Sequence, residues 1–284
     1  MPKVSICIPT YNQTIHLKRT LDSILIQTYQ DYEIIITDDS PGLIVKEFVE
    51  KYDFKGRLFY FKNDVTLGSP QNWNECIKKA SGEYIKIVHH DDWFTTGDSL
   101  AQFVALLSDN PQCSLAFSSS FVLLANGDNW VHQVSPNDIN RIQSHPESLL
   151  LSNKIGSPSA VIYRKSVFEY FDKNLIWLVD IEFYIRVICK FNKPAYNSLP
   201  LITTYGAEGR VSDYCNNREV EVSENFYVFQ KIKHFIGYQY LIKCTLHLLH
   251  ICKKYNISTR NEIIACGFTG KISGIFLFLL KLGI

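Results

Sequence analysis

Two carboxylates stand side by side at Asp91 and Asp92, directly after the apolar run EYIKIV at 83–88. Two anions about 4 Å apart repel by roughly 4 kcal/mol at an effective dielectric of about 20, so such a pair needs a cation, hydrogen-bond donors or ample water. Carboxylate oxygens are hard ligands suited to Mg2+ or Mn2+, ions that bridge protein acids to substrate phosphates. A second acidic pair, Asp38–Asp39, follows the apolar run EIIIT at 33–37. Asp180 opens the stretch DIEFYIRVICKF, with Glu182 two residues on and Trp177 three residues before it. Each candidate also has a plainer role. Asp38, Asp39 and Asp180 could cap helices, Tyr11 could be a turn residue, Trp177 a core side chain, and His89 to Asp92 a solvated loop. The chain contains neither GxxxxGK[ST] nor GxGxxG after its first strand. A bound nucleotide would therefore have its phosphates neutralised in another way, and a metal on Asp91–Asp92 would serve.

The elements that must position these residues follow from periodicity. KVSICIP (3–9), EIIIT (33–37), LFYFK (58–62) and EYIKIV (83–88) are β-branched and apolar, which predicts strands. Apolar spacing predicts helices over 14–27, 43–51 and 70–80, the last with Pro70 in its first turn. Alternating strands and helices imply a parallel sheet covered on both faces, with ligands beyond the carboxyl ends of the strands. Thr10–Tyr11–Asn12, Asp38–Asp39–Ser40 and His89 to Asp92 fall at those ends. Strands are also predicted at 114–124 and 159–164, a turn at 125–129, a helix over 180–191, and mostly helix from about 217 onward. The expectation is one catalytic domain with a helical C-terminal appendage.

The 284 residues are 46% hydrophobic and 20% charged, as in folded globular proteins. Eight scattered cysteines without a CxxC pair predict reduced core thiols. The start MPKVSICIPTYN has neither the basic region nor the long apolar stretch of a signal peptide, so a cytoplasmic setting is expected. Residues 225–284 carry eight Lys and Arg against the single acid Glu262, which leaves residues 1–224 at net −6. The ending GIFLFLLKLGI is shorter than the about 20 apolar residues that cross a bilayer. It reads either as a core helix or as an interfacial helix with lysines at anionic headgroups.

ICIPTYN, then IIITDDS, then GSPQNWNECIKKASGEYIKIVHHDDWF resemble, in order, the motifs of the inverting family 2 glycosyltransferases. The resemblance covers about residues 3–100 and weakens beyond 110. It implies an α/β GT-A fold, Rossmann-like, with a mixed and mostly parallel sheet. Residues 1–215 would form the catalytic domain, with 1–110 the nucleotide-sugar half and 111–215 the acceptor half. Residues 216–284 would be a basic, apolar tail. The resemblance further implies that Pro9, Thr10, Tyr11, Asp39, Gly68, Asn72 and Asp91 bind the nucleotide sugar. Tyr11 would stack on the base, Asp39 accept a uracil N–H, and Asp91 hold the ribose. Asp92 would ligate Mn2+ or Mg2+ at the diphosphate.

Asn72 matches the Asn of the family's ARN triplet, while Gln71 stands where Arg is usual. His89 and His90 occupy a place where acids are common and are expected to pack rather than ligate. VDIEFYIRV matches the family's Glu-Asp helix start with Val179 in place of Glu, which makes Asp180 the base and Glu182 its understudy. Glu208 and Arg210, in TTYGAEGRVS, resemble the segment that closes over the diphosphate. The QxxRW signature of polymer-making members is absent from the sequence. The implied activity is transfer of one hexose, galactose or glucose favoured, from a UDP-sugar to a sugar hydroxyl, forming a β-glycoside. The implied acceptor is linked to a lipid diphosphate at the inner membrane face, in O-antigen or surface-polysaccharide synthesis, with no nucleic-acid partner. The rival readings are a helical HD-type metal phosphohydrolase built on His90–Asp91 and a catalytically dead carbohydrate- or lipid-binding module.

Overall fold

The computed structural model describes residues 1–167, 169–206 and 214–283. Its first half alternates strand and helix: β1 (Val4–Thr10), α1 (Ile15–Leu25), β2 (Tyr32–Asp38), α2 (Ile44–Val49), β3 (Leu58–Lys62), α3 (Gln71–Lys79) and β4 (Tyr84–Ile87). β3, β2, β1 and β4 lie side by side in parallel, in that order. All seven residues of β1 and all seven of β2 are buried, as strands covered on both faces require. Alternation divides them between two cores. Val4, Ile6, Ile8, Ile34 and Ile36 enter one, and Cys7 and Ile35 the other.

The second half contains β5 (Trp93–Phe94), α4 (Ser99–Ser108), β6 (Leu115–Leu124), β7 (Asn129–His132), α5 (Pro136–Ser144), β8 (Val161–Arg164), α6 (Val179–Phe191) and β9 (Ala195–Gly206). β8 joins β4 and β6 antiparallel, so the sheet is mixed, as expected for the fold class, and the purely parallel run stops at β4. β9 was not legible in the sequence because Pro200 and polar residues interrupt AYNSLPLITTYG. It pairs parallel to β6 through a register shift at Ser118–Ser120, which accommodates the proline. β5, β7, α4 and α5 are likewise additions to the predicted elements. Helix α6 begins one residue earlier than predicted, so Asp180 lies inside its first turn and Leu178 is the cap position.

The helices α7 (Arg218–Ile232), α8 (Tyr238–Lys254), α9 (Arg260–Ala265) and α10 (Gly274–Lys281) follow. Val222, Phe226, Leu248, Ile263, Phe276 and Leu280 build a third core among these helices. Val228, Ile232 and Cys244 instead join the core that holds α6, so the appendage is packed against that helix. No helix among the described residues is long and apolar enough to cross a membrane.

Candidate active site

Three segments fix the acidic edge after β4. The N–H of His89 donates to Ser159 Oγ at 3.0 Å, from the short turn Pro158–Ala160 ahead of β8. The N–H of Asp92 closes back on the His89 carbonyl at 3.0 Å. From α1, Thr20 Oγ1 donates to the carbonyls of His90 and Asp92 at 3.0 and 2.8 Å. Asp92 is buried and accepts the Tyr205 N–H at 3.3 Å. Burial, and then the Asp91 charge, push its carboxyl up to about 8. The fully buried Lys86 ammonium contacts the Ser159 carbonyl and lies 4.2 Å from the Phe103 ring centroid. Burial drives its pKa far down despite the opposing pull of Asp92.

This edge fits a divalent cation. Ligand atoms of His89, Asp91 and Asp92 lie within 4.8 Å of one another, and the acid pair has too little counter-charge of its own. The sequence set His89 aside as a packing group, but the fold brings it into the cluster. Burial lowers its imidazole to about 4, so the ring is neutral at ordinary pH, with one nitrogen lone pair available. The helical phosphohydrolase alternative fails on the fold, since His90–Asp91 lie in the turn that follows a strand of a mixed sheet.

At the ends of β1 and β2, the expected nucleotide-binding residues divide into exposed and committed ones. Tyr11 is half-exposed and available to a ligand. Pro9 lies within β1, paired with Thr37, and the Thr10 carbonyl accepts the Asp39 N–H at 3.0 Å. Asp38 is buried and held by Tyr60 Oη at 2.6 Å and by the Ser40 N–H at 2.9 Å. Asp39 accepts from the Asn63 amide at 2.8 Å, from the Leu67 N–H at 2.8 Å and from the Gly68 N–H at 2.7 Å. Its carboxylate therefore organises the 63–68 loop. Gly68 has a φ of +74°, a left-handed turn that glycine adopts without strain. The buried Asn72 amide donates to the carbonyls of Thr10 and Thr37 at 3.3 and 3.2 Å, clamping the two strand ends rather than pointing outward.

The two acids of α6 have opposite surroundings. Glu182 is fully buried, bound to Arg186 through bonds of 2.7 and 3.0 Å and to Lys231 Nζ at 2.6 Å. These ion pairs commit its carboxylate to Arg186 and Lys231. Asp180 is half-buried and carries no salt bridge among the described residues. Its Oδ1 accepts the Ile181 N–H at 2.8 Å, and Oδ2 accepts the Asn153 amide at 2.9 Å. Removal from water pushes its carboxyl up to about 7, with those hydrogen bonds opposing the rise. Trp177 is partly buried against the core. Glu208 and Arg210 lie outside the described residues.

Four residues that sequence reasoning did not single out complete the site. Ser159 and Asn153 belong to one strap, SNKIGSPSA, which holds His89 at one end and Asp180 at the other. Six residues reach at most about 20 Å, which bounds the separation of the two anchor points. Glu224 of α7 accepts the N–H groups of Ile176, Trp177 and Leu178 at 2.7, 3.0 and 2.8 Å, which secures the entry to α6. Arg19 of α1 lies 5.6 Å from the Trp93 ring and 5.3 Å from the Tyr205 ring, against residues that adjoin Asp92 in sequence or donate to it. None of these four carries a local signal, because each acts through a segment remote in sequence.

The Campylobacter jejuni enzyme described as a GalNAc(5)-diNAcBac-PP-undecaprenol beta-1,3-glucosyltransferase is 33% identical over 99 residues, covering 34% of this chain and 32% of its own. An uncharacterized glycosyltransferase of Methanocaldococcus jannaschii is 28% identical over 191 residues, covering 66% of this chain and 65% of its own. The chain thus spans just under two thirds of that relative's length. Staphylococcus aureus TarS 1–349 in complex with UDP-GlcNAc superposes with a TM-score of 0.64 at 22% identity, over 89% of this chain and 72% of its own. A Pyrobaculum calidifontis mannosyltransferase in complex with GDP-Man and Mn2+ gives 0.58 at 17% identity, over 99% and 79%. These structures share the GT-A fold. The sequence pattern of glycosyl transferase family 2 matches residues 5–171, more than half of the chain, and the protein belongs to that family.

Proposed function

We propose that this protein is a metal-dependent inverting glycosyltransferase. It moves one hexose, galactose or glucose, from a UDP-sugar to a hydroxyl of a sugar carried on a lipid diphosphate, in surface-polysaccharide synthesis of the O-antigen kind. The observation that carries the proposal is the Asn153–Ser159 strap, which ties an acidic edge suited to a cation to a carboxylate suited to proton abstraction. Residues 1–110 take the nucleotide sugar, 111–215 the acceptor, and 216–284 form the appendage.

Tyr11 stacks on the uracil, Asp39 shapes the 63–68 loop against it, and Asp91 holds the ribose. Asp92 holds Mn2+ or Mg2+, which when bound supplies counter-charge and Lewis acidity to the departing diphosphate. Asp180, with a pKa pushed up to about 7, takes the proton of the acceptor hydroxyl as that oxygen attacks the anomeric carbon. General-base assistance of this kind contributes about 10² to 10⁴ in rate when the base titrates near the working pH. Attack opposite the leaving group converts an α-linked donor to a β-glycoside. The lipid-linked acceptor draws support from the name of the Campylobacter relative, and the UDP-sugar from the TarS complex.

The appendage would bring the enzyme to that acceptor. On α10, Phe276 and Leu280 turn inward, while Ile275, Phe278 and Leu282 are 76, 62 and 57% exposed along one helical face. Lys271 and Lys281 flank this apolar strip, a pattern that suits the anionic inner leaflet. The deciding experiment offers a panel of nucleotide sugars with Mn2+ and scores release of the nucleoside diphosphate. UDP release from UDP-hexose, absent in Asp92→Ala, supports the proposal. No release from any donor, or equal release by the variant, overturns it.

A further inference from the structure

We propose that His89 is a direct ligand of the ion held at the Asp91–Asp92 edge, making a mixed nitrogen–oxygen site that selects Mn2+ over Mg2+. The inference rests on the metal reading above and narrows it to this chain's own donor set. His89 Nδ1 lies 4.0 Å from Asp92 Oδ2, too far for a hydrogen bond. Two donors each about 2.1 Å from one ion stand about 3 Å apart at right angles and about 4.2 Å apart across it, so this spacing fits a shared ion. The other ring nitrogen, Nε2, is buried without a hydrogen-bond partner among the described residues. The imidazole thus sits beside two carboxylates with its Nδ1 at ligand-to-ligand spacing from Asp92 and its Nε2 without a partner among the described residues.

The ring is also held in place. Its backbone N–H is bound to Ser159 Oγ at 3.0 Å, and its face lies 4.7 Å from the Trp73 ring, which packs edge-on against Phe171 at 5.2 Å. A metal ligand braced in this way loses little freedom on binding. His90 differs, since its carbonyl is engaged by Thr20 and its ring lies outside the ligand cluster found among the described residues. The chemistry gives the selectivity. Mg2+ takes oxygen ligands and keeps its waters, whereas imidazole nitrogen suits the transition metals and contributes no negative charge.

The test uses the purified full chain with Mn2+ and UDP, read by pulsed electron paramagnetic resonance for ¹⁴N coupled directly to the ion, and by competition with Mg2+. The expected wild-type spectrum contains that coupling, which persists in His90→Ala and disappears in His89→Ala and His89→Gln. His89→Asp, an all-oxygen set, should reduce the Mn2+-over-Mg2+ affinity ratio at least tenfold. Bound Mn2+ without ¹⁴N coupling in the wild type, or an unchanged ratio in His89→Asp, overturns the inference and leaves the metal reading standing. Absence of any Mn2+ binding by the wild type overturns both.

Discussion

The acidic edge at 89–92 and the entry to α6 each hold a carboxyl that burial lifts above its ordinary range, yet they are built in different ways. At the edge, consecutive residues do the work: β4 delivers them together, and Asp91 itself raises Asp92. At α6, Asp180 owes its state to removal from water, and its position to Asn153 and Glu224, residues 27 behind it and 44 ahead. The first centre is local and the second is assembled. The edge draws its acids from one short segment that Thr20, Ser159 and Tyr205 brace, whereas Asp180 takes its setting from residues remote in sequence.

That contrast can be tested by how steeply activity falls. Asp92→Ala should reduce transfer by more than a thousandfold and remove Mn2+-dependent binding of UDP, measured by calorimetry. Undiminished turnover in excess EDTA would show that the edge is not a metal centre. Asp180→Asn should lower turnover at least a hundredfold while leaving UDP affinity intact. The pH profile sharpens this, because wild-type turnover should rise through about pH 7 as Asp180 loses its proton, and that limb should vanish in the variant.

The same group leaves a mark on stability. Its folded pKa lies above the unfolded carboxylate value of about 3.9, so the folded state binds the extra proton between those limits. Its contribution to stability therefore falls as pH rises from about 4 to 7. Asp180→Asn should flatten that decline in denaturant midpoints, and an identical slope in both proteins would mean that the carboxyl is not buried as described.

Glu224→Gln probes assembly at a distance. With three N–H groups losing a charged acceptor, turnover should drop about tenfold at unchanged UDP affinity, as charge-assisted bonds exceed neutral ones by about a factor of two. A loss of UDP affinity instead would place Glu224 in the nucleotide half. Glu182→Gln should act mainly on stability, on the order of 3 kcal/mol, because it leaves Arg186 and Lys231 facing a neutral group. Its turnover per folded molecule should change only a fewfold, and a hundredfold loss would make Glu182 the base in place of Asp180.

The smallest effect on chemistry is expected at the tail. Replacing Lys271 and Lys281 by Gln should weaken binding to anionic vesicles without altering turnover of a water-soluble acceptor. Lys254 is a poorer probe, since it is engaged with Glu221 at 2.6 Å. Unchanged vesicle binding would leave the outer face of α10 as an ordinary surface.

The order of β1 to β4, the acidic edge and the family were legible in the amino-acid sequence, because a buried parallel strand is a continuous apolar run and its polar residues collect where that run ends. Asp180 is preferred to Glu182 in the sequence on the family resemblance alone. The different surroundings of Glu182 come from Arg186 and Lys231, and Lys231 comes from α7, 49 residues away. Tertiary structure also turned Asp39 and Asn72 inward to organise the loop and strand ends, and brought His89 into the ligand cluster. These outcomes depend on which backbone groups each side chain meets across the fold. Hydrogen bonds reach about 3 Å, and periodicity carries no information about neighbours tens of residues apart.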